Sequence, residues 1–226
     1  MRDYDTGPVP QEPARSAYVE RPREDFANPA PFGLHILAFA TAVLGCFYTG
    51  FIITYQGLAI RPAIGAVLFV SGIVLIIAGI LEYRKNSMVS ATIFASYGGF
   101  LAAIGLIFMP NIGIVSVLLG GRQLNFALGL FFLCWTIFTG ILFIGTLRLN
   151  MLLALTMLVL FVAYLLLTIG QLAGNNSVIT HIGGWLAIVA ALVAWLTGLA
   201  SLLGSEGPNA PFRLPLGKGS GMNPVE

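Results

Sequence analysis

Between residues 27 and 203 the chain carries a single carboxylate, Glu82, although the whole sequence has nine acidic residues. The other eight lie toward the two ends. Soluble domains have about 25% charged residues; this chain has 9% and is 58% hydrophobic. A water-exposed globular surface cannot be built from such a stretch. The middle of the chain is therefore an integral membrane domain.

A helix needs about 20 apolar residues to cross a bilayer. Six segments qualify, roughly 32–55, 62–83, 89–109, 125–147, 151–173 and 180–203. They predict an all-α, six-transmembrane-helix bundle. Polar punctuation separates the spans: Gln56-Gly57 and Arg61-Pro62, Glu82 to Asn86, Pro110-Asn111, Arg148 to Asn150, and Gly174 to Asn176. The fourth connection is short enough to make spans four and five a tight antiparallel hairpin. Alternating sides of the membrane receive nine and two of the eleven Lys and Arg residues, which puts both termini in the cytoplasm by the positive-inside rule. Residues 1–27 and 205–226 are polar and rich in proline, and are expected to be disordered cytoplasmic tails flanking a domain at 28–204. The first lacks the apolar core and cleavage site of a signal peptide.

Helices in lipid associate through close packing of small residues. Span two has Gly65, Gly72 and Gly79; span six has Gly184, Ala191 and Gly198, with Ala187, Ala194 and Ser201 as a second row. Seven-residue spacing keeps each row facing one neighbour, so span six is expected to meet two partners, within the protomer or across an oligomer interface. Tyr97-Gly98-Gly99 in span three is echoed by Ile182-Gly183-Gly184 in span six, as in inverted repeats.

Polar side chains in hydrocarbon are costly and usually face the bundle interior or a wet path. The candidates are His35, Tyr48, Tyr97, Thr136, Thr139, Thr156, Tyr164, Thr168, Gln171 and His181. Tyr48 and Tyr164 suit interfacial belts. Glu82 has two readings, an ion pair with Arg84, Lys85 or Arg148 at a helix end, or a gate or proton-linked group. Cys46 and Cys134 lie in apolar runs and read as small hydrophobes. The sequence holds no zinc or other metal spacing, cofactor motif, catalytic triad or nucleic-acid patch, so no catalytic residue is assigned.

Asn-Pro-Ala-Pro-Phe-Gly-Leu at 28–34 resembles the opening motif of the acetate uptake transporter family, which includes bacterial succinate–acetate permeases and fungal acetate carriers. The resemblance continues in order through Gly79-Ile80-Leu81-Glu82-Tyr83, Ala95-Ser96-Tyr97-Gly98-Gly99-Phe100 and Met109-Pro110. It resumes at Gly145-Thr146-Leu147-Arg148, Ile169 to Asn175, and His181-Ile182-Gly183-Gly184-Trp185. It implies a homo-hexamer of protomers, each with six helices around a central path, in a plasma or bacterial inner membrane. Its implied cargo is acetate and related short carboxylates, succinate among them, moved by proton symport or through an anion channel. The family's pore constriction, a Phe, a Tyr and a Leu, falls on Leu37, Tyr97 and Leu160; Leu37 departs from the pattern, since a branched aliphatic replaces the ring. A position that tunes carboxylate choice falls near Ala194.

The residues agree with this chemistry. An apolar ring closes a pore by dewetting, and the Tyr97 hydroxyl supplies a donor to a passing carboxylate. Acetic acid ionises near the Glu value of about 4.3, so the anion dominates at neutral pH. His35, His181 and Glu82 are the candidate proton donors, with Gln171 and Asn175 as further pathway residues. A passive channel for a neutral solute such as ammonia, and a membrane sensor or scaffold acting through its tails, are the other readings. For Asn28, Pro29, Pro31 and Gly33, the prolines predict extended Asn28 and Ala30, Pro31 as the first helical residue, and free N–H groups from Phe32 to Leu34. That start would receive an anion, or it would be a rigid turn fixing where span one begins.

Overall fold

The computed structural model describes residues 27–50, 57–109, 121–174 and 176–205. Within them the chain forms six helices: α1 (Ala30–Tyr48), α2 (Gly57–Arg84), α3 (Met88–Phe108), α4 (Gly121–Thr146), α5 (Met151–Leu172) and α6 (Ser177–Ser205). All six are long and apolar enough to cross a membrane. Residues 1–26 and 206–226, which hold most of both expected tails, and Asn175 lie outside the described residues.

The helix ends have local causes. Lys85, Asn86 and Ser87 close α2 with a Schellman motif: Asn86 takes φ 63°, its N–H donates to the Tyr83 carbonyl at 3.0 Å, and Ser87 N–H donates to the Glu82 carbonyl at 3.1 Å. Asn150 caps α5 by accepting from Leu152 N–H at 2.9 Å. Helix α4 begins at Gly121, four residues before expectation, and three further boundaries differ as well. Helix α1 stops at Tyr48 rather than near 55, because Gly50 turns the chain with φ 66° beneath the His181 ring. Helix α2 begins at Gly57 and runs through Pro62, whose missing N–H removes one hydrogen bond in the second turn. Helix α6 begins at Ser177, three residues early, where Asn176 Oδ1 accepts from Ile179 N–H at 3.4 Å.

The odd-numbered helices end where α4 and α6 begin, so α1, α3 and α5 run one way and the even helices the other. The most extensive packing joins α2 to α3 and α1 to α6, followed by α4 to α5 and α5 to α6. The α4–α5 hairpin is thus present. Glycine rows make the closest approaches. A Cβ at Gly65 would lie 2.8 Å from the Gly105 carbonyl oxygen, at Gly72 2.5 Å from Ala102 N, and at Gly79 2.6 Å from Ala95 N. On the other seam, a Cβ at Gly184 would lie 2.6 Å from Thr49 N. Helix α6 thereby meets both α1 and α5 within one protomer. The glycine pairs of α3 and α6 echo only in part. Gly98 and Gly183 both seat on the preceding helix, whereas Gly99 has open space and Gly184 meets α1.

The outer faces are apolar, as lipid requires: Ile73 and Ile77 on α2, Ile137 and Ile141 on α4, and Leu192 and Leu196 on α6 are all exposed. Cys134 joins this outer face rather than the core. Gly72→Val should lower stability by about 1–3 kcal/mol through overpacking against backbone that cannot yield. Gly99→Ala, with nothing within 4 Å of its new methyl, should be neutral or slightly stabilising. Thermal unfolding of both variants in detergent checks the contrast.

Candidate functional site

Three parallel helices turn buried stripes toward one interior. On α1 the stripe is Leu34, Leu37, Thr41, Leu44 and Tyr48, spaced three and four residues apart so that all share a face. On α3 it includes Phe94, Tyr97, Leu101, Ile104 and Phe108. On α5 it includes Leu153, Thr156, Leu160, Tyr164, Thr168 and Gln171.

Each end of the bundle holds a cavity. The first, about 210 Å³, is bounded by Tyr48, Phe108, Asn125, Gln171, Thr180 and His181. The second, about 190 Å³, is bounded by Leu34, Ser87, Phe94, Asn150, Thr197 and Ser201. Each has room for several waters, which occupy about 30 Å³ apiece in the liquid. We call them the His181 and Asn150 cavities.

Leu37, Tyr97 and Leu160 lie between them, each at most 1% exposed and all in one apolar cluster. Tyr48, Phe108 and Gln171 of the His181 cavity each stand eleven positions further along the same three helices. At 1.5 Å per residue that is about 16 Å, so the three residues stand equally far along their helices from that cavity's wall. Ala194 is buried on α6 three residues before Thr197. Leu37 and Tyr97 stand equally far from Leu34 and Phe94, which puts Ala194 at the same level. Phe39 is exposed and faces away.

The surroundings of Tyr97 are aromatic. The Tyr97 ring lies 6.1 Å from Phe100, 5.7 Å from Trp135 and 6.4 Å from Tyr164. Its hydroxyl pairs with Thr139 Oγ1 at 2.8 Å, across 42 residues of sequence. Thr136 and Thr168 each donate to a carbonyl one turn back at 2.8 Å and lie 3.3 Å from one another. Tyr48 and Tyr164 are core residues rather than an interfacial belt. An aromatic content typical of belts gave no sign of this; the four-residue step from Leu160 to Tyr164 did.

The remaining sequence candidates separate. His181 and Gln171 face the His181 cavity. His35 borders neither cavity: its Nδ1 lies 2.6 Å from the Pro31 carbonyl oxygen, and its ring covers Gly198 on the α1–α6 seam. Glu82, 1% exposed, is hydrogen-bonded by Ser87, a residue of the Asn150 cavity wall, and its Oε1 has no partner among the described residues. The expected ion pair with Arg84, Lys85 or Arg148 is not formed there. The Lys85 ammonium instead donates to Asn28 Oδ1 at 2.8 Å.

The opening motif is closed rather than open. Asn28 Oδ1 also accepts from Ala30 N–H at 3.3 Å, and Gly33 N–H donates to the Pro29 carbonyl at 3.0 Å. Ala30 is helical, not extended, and Pro31 takes the second helical position. The Gly33 N–H is therefore not free to meet an anion, and a Cβ there would lie 2.5 Å from the Phe94 ring. Pro29, Pro31 and Gly33 are buried. Asn28 ties the start of α1 to the end of α2.

Comparison with known proteins places this geometry. The solved structure of the bacterial acetate channel SatP superposes with a TM-score of 0.68 at 31% identity, covering 85% of this chain and 99% of that one. The succinate-acetate/proton symporter SatP of Escherichia coli is 33% identical over 181 residues, 80% of this chain and 90% of its own. Acetate permease A of Emericella nidulans is 35% identical over 84% of this chain and 66% of its own. Ammonia transport outward protein 2 of Saccharomyces cerevisiae is 34% identical over 86% and 69%. Residues 11–216 match the GPR1/FUN34/yaaH family, and the chain belongs to it.

Proposed function

We propose that this multi-pass membrane protein carries acetate and related short carboxylates, succinate among them, through the interior of each protomer. One observation carries the reading. Two cavities with mixed polar and apolar walls open at opposite ends of the bundle, and Leu37, Tyr97 and Leu160 stand buried between them. The relatives named for acetate and succinate transport support the cargo. The path contains no fixed charge at the ring, so a small monovalent anion meets hydroxyls and apolar walls rather than a trap. Ala194 borders that level and sets the room available.

Arg84, Lys85 and Arg148 cluster at the Asn150 end, which makes that end and both tails cytoplasmic. The domain at 28–204 then sits in a plasma or bacterial inner membrane and assembles as a hexamer, as its family resemblance implies. Its role is transport rather than catalysis. Glu82, bonded to a wall residue of the Asn150 cavity, is the proton-linked candidate, with His181 at the other mouth. A second reading, release of ammonia, has support in the name of the yeast relative. It predicts flux indifferent to competing carboxylates.

Purified protein in liposomes should take up labelled acetate saturably, with inhibition by succinate; no acetate flux would refute the carboxylate reading. Leu37→Phe should restore ring bulk and reduce inhibition by propionate and lactate relative to acetate, measured as competition. Asn28→Ala should lower thermal stability by about 0.5–1.5 kcal/mol, the usual net worth of a hydrogen bond, since the Ala30 N–H and the Lys85 ammonium both lose Oδ1 as acceptor. Its half-saturating acetate concentration should stay unchanged.

A further inference from the structure

The Tyr164 hydroxyl is explained by neither helix structure nor packing. It is fully buried on α5 and has no hydrogen-bond partner among the described residues. Its ring is well packed, 5.3 Å from Phe100 and 6.0 Å from Phe132. A phenylalanine would fill that space without stranding a polar atom, so the hydroxyl makes the folded state less stable as it stands.

Thr41 on α1 repeats the pattern. Thr92, Thr136, Thr156, Thr168 and Thr197 all donate to the carbonyl four residues back. Thr41 is 2% exposed, and its Oγ1 has no partner among the described residues. Thr41 lies four residues beyond Leu37, and Tyr164 four beyond Leu160, on helices running the same way. One turn is about 5.4 Å. Both residues therefore stand one turn on the His181 side of Leu37 and Leu160, on the buried faces that carry those two side chains.

We propose that Tyr164 and Thr41 form a carboxylate-binding station, the two hydroxyls donating to the oxygens of an anion poised above the ring. The station rests on the transport reading and adds to it a site that the ring residues do not provide. Neutral donors hold the anion after it loses its water yet let it leave, as conduction requires. The Tyr97 hydroxyl, engaged by Thr139, lies at the ring itself and takes the anion next.

Tyr164→Phe and Thr41→Val preserve shape and remove only the hydroxyls. In liposomes each should raise the half-saturating acetate concentration about tenfold, the expected loss of one hydrogen bond to a charged group. Thermal stability should be unchanged or higher, because an unpaired buried group has gone. Half-saturation within about twofold of wild type in both variants would overturn the station, as would a rise accompanied by a lower Tm, which marks a structural role. Absence of acetate uptake by the wild type would overturn the transport reading and the station together.

Discussion

Backbone-to-backbone contact along glycine rows is the constraint on which the bundle depends. Lipid tails give apolar helices no reason to leave them, so association rests on close packing. Helix α2 presses on α3 at Gly65, Gly72 and Gly79, and α6 presses on the end of α1 at Gly184. These approaches are too close for a Cβ. They fix the rotation of α1 and α3 about their own axes, and that rotation aims the Leu37 and Tyr97 stripes at a common interior. The seams on the outside of the site thus determine what lines its inside.

The interior is built on the opposite rule. Polar groups are few and mostly satisfied close to home, by carbonyls one turn back or by one another, as with Tyr97 and Thr139. What remains between the cavities is closely packed apolar surface, together with hydroxyls placed singly. An arrangement of this kind gives a monovalent carboxylate just enough contact to enter. It has no charge at the ring with which to hold it.

Several of these features were legible in the sequence. Six spans followed from apolar length, and the glycine rows from their seven-residue period. Both signals are local and survive without knowledge of neighbours. Helix ends were less legible, because Gly50 and Asn176 act through backbone geometry and a side-chain cap that hydropathy does not register. Lys85 was one of three candidate ion-pair partners for Glu82, three residues away; it bonds to Asn28, 57 residues away. Nothing in a linear pattern reports such a contact. The resemblance supplied Leu37, Tyr97 and Leu160, but their equal distance from the wall of the His181 cavity emerged only from the register of three parallel helices. Tyr164 was read as an interfacial aromatic because residue type alone does not distinguish a belt from a core.

The central claim is that one path joins the His181 and Asn150 cavities through the ring. Single cysteines in a background lacking Cys46 and Cys134 test it most directly, with a membrane-impermeant thiol reagent applied to each face of sealed liposomes during acetate uptake. At His181 the cysteine should block uptake when reagent is applied to one face, at Asn150 when it is applied to the opposite face, and at Leu160 from neither. Labelling of both cavity positions from the same face, or full labelling with uptake unimpaired, would contradict the account.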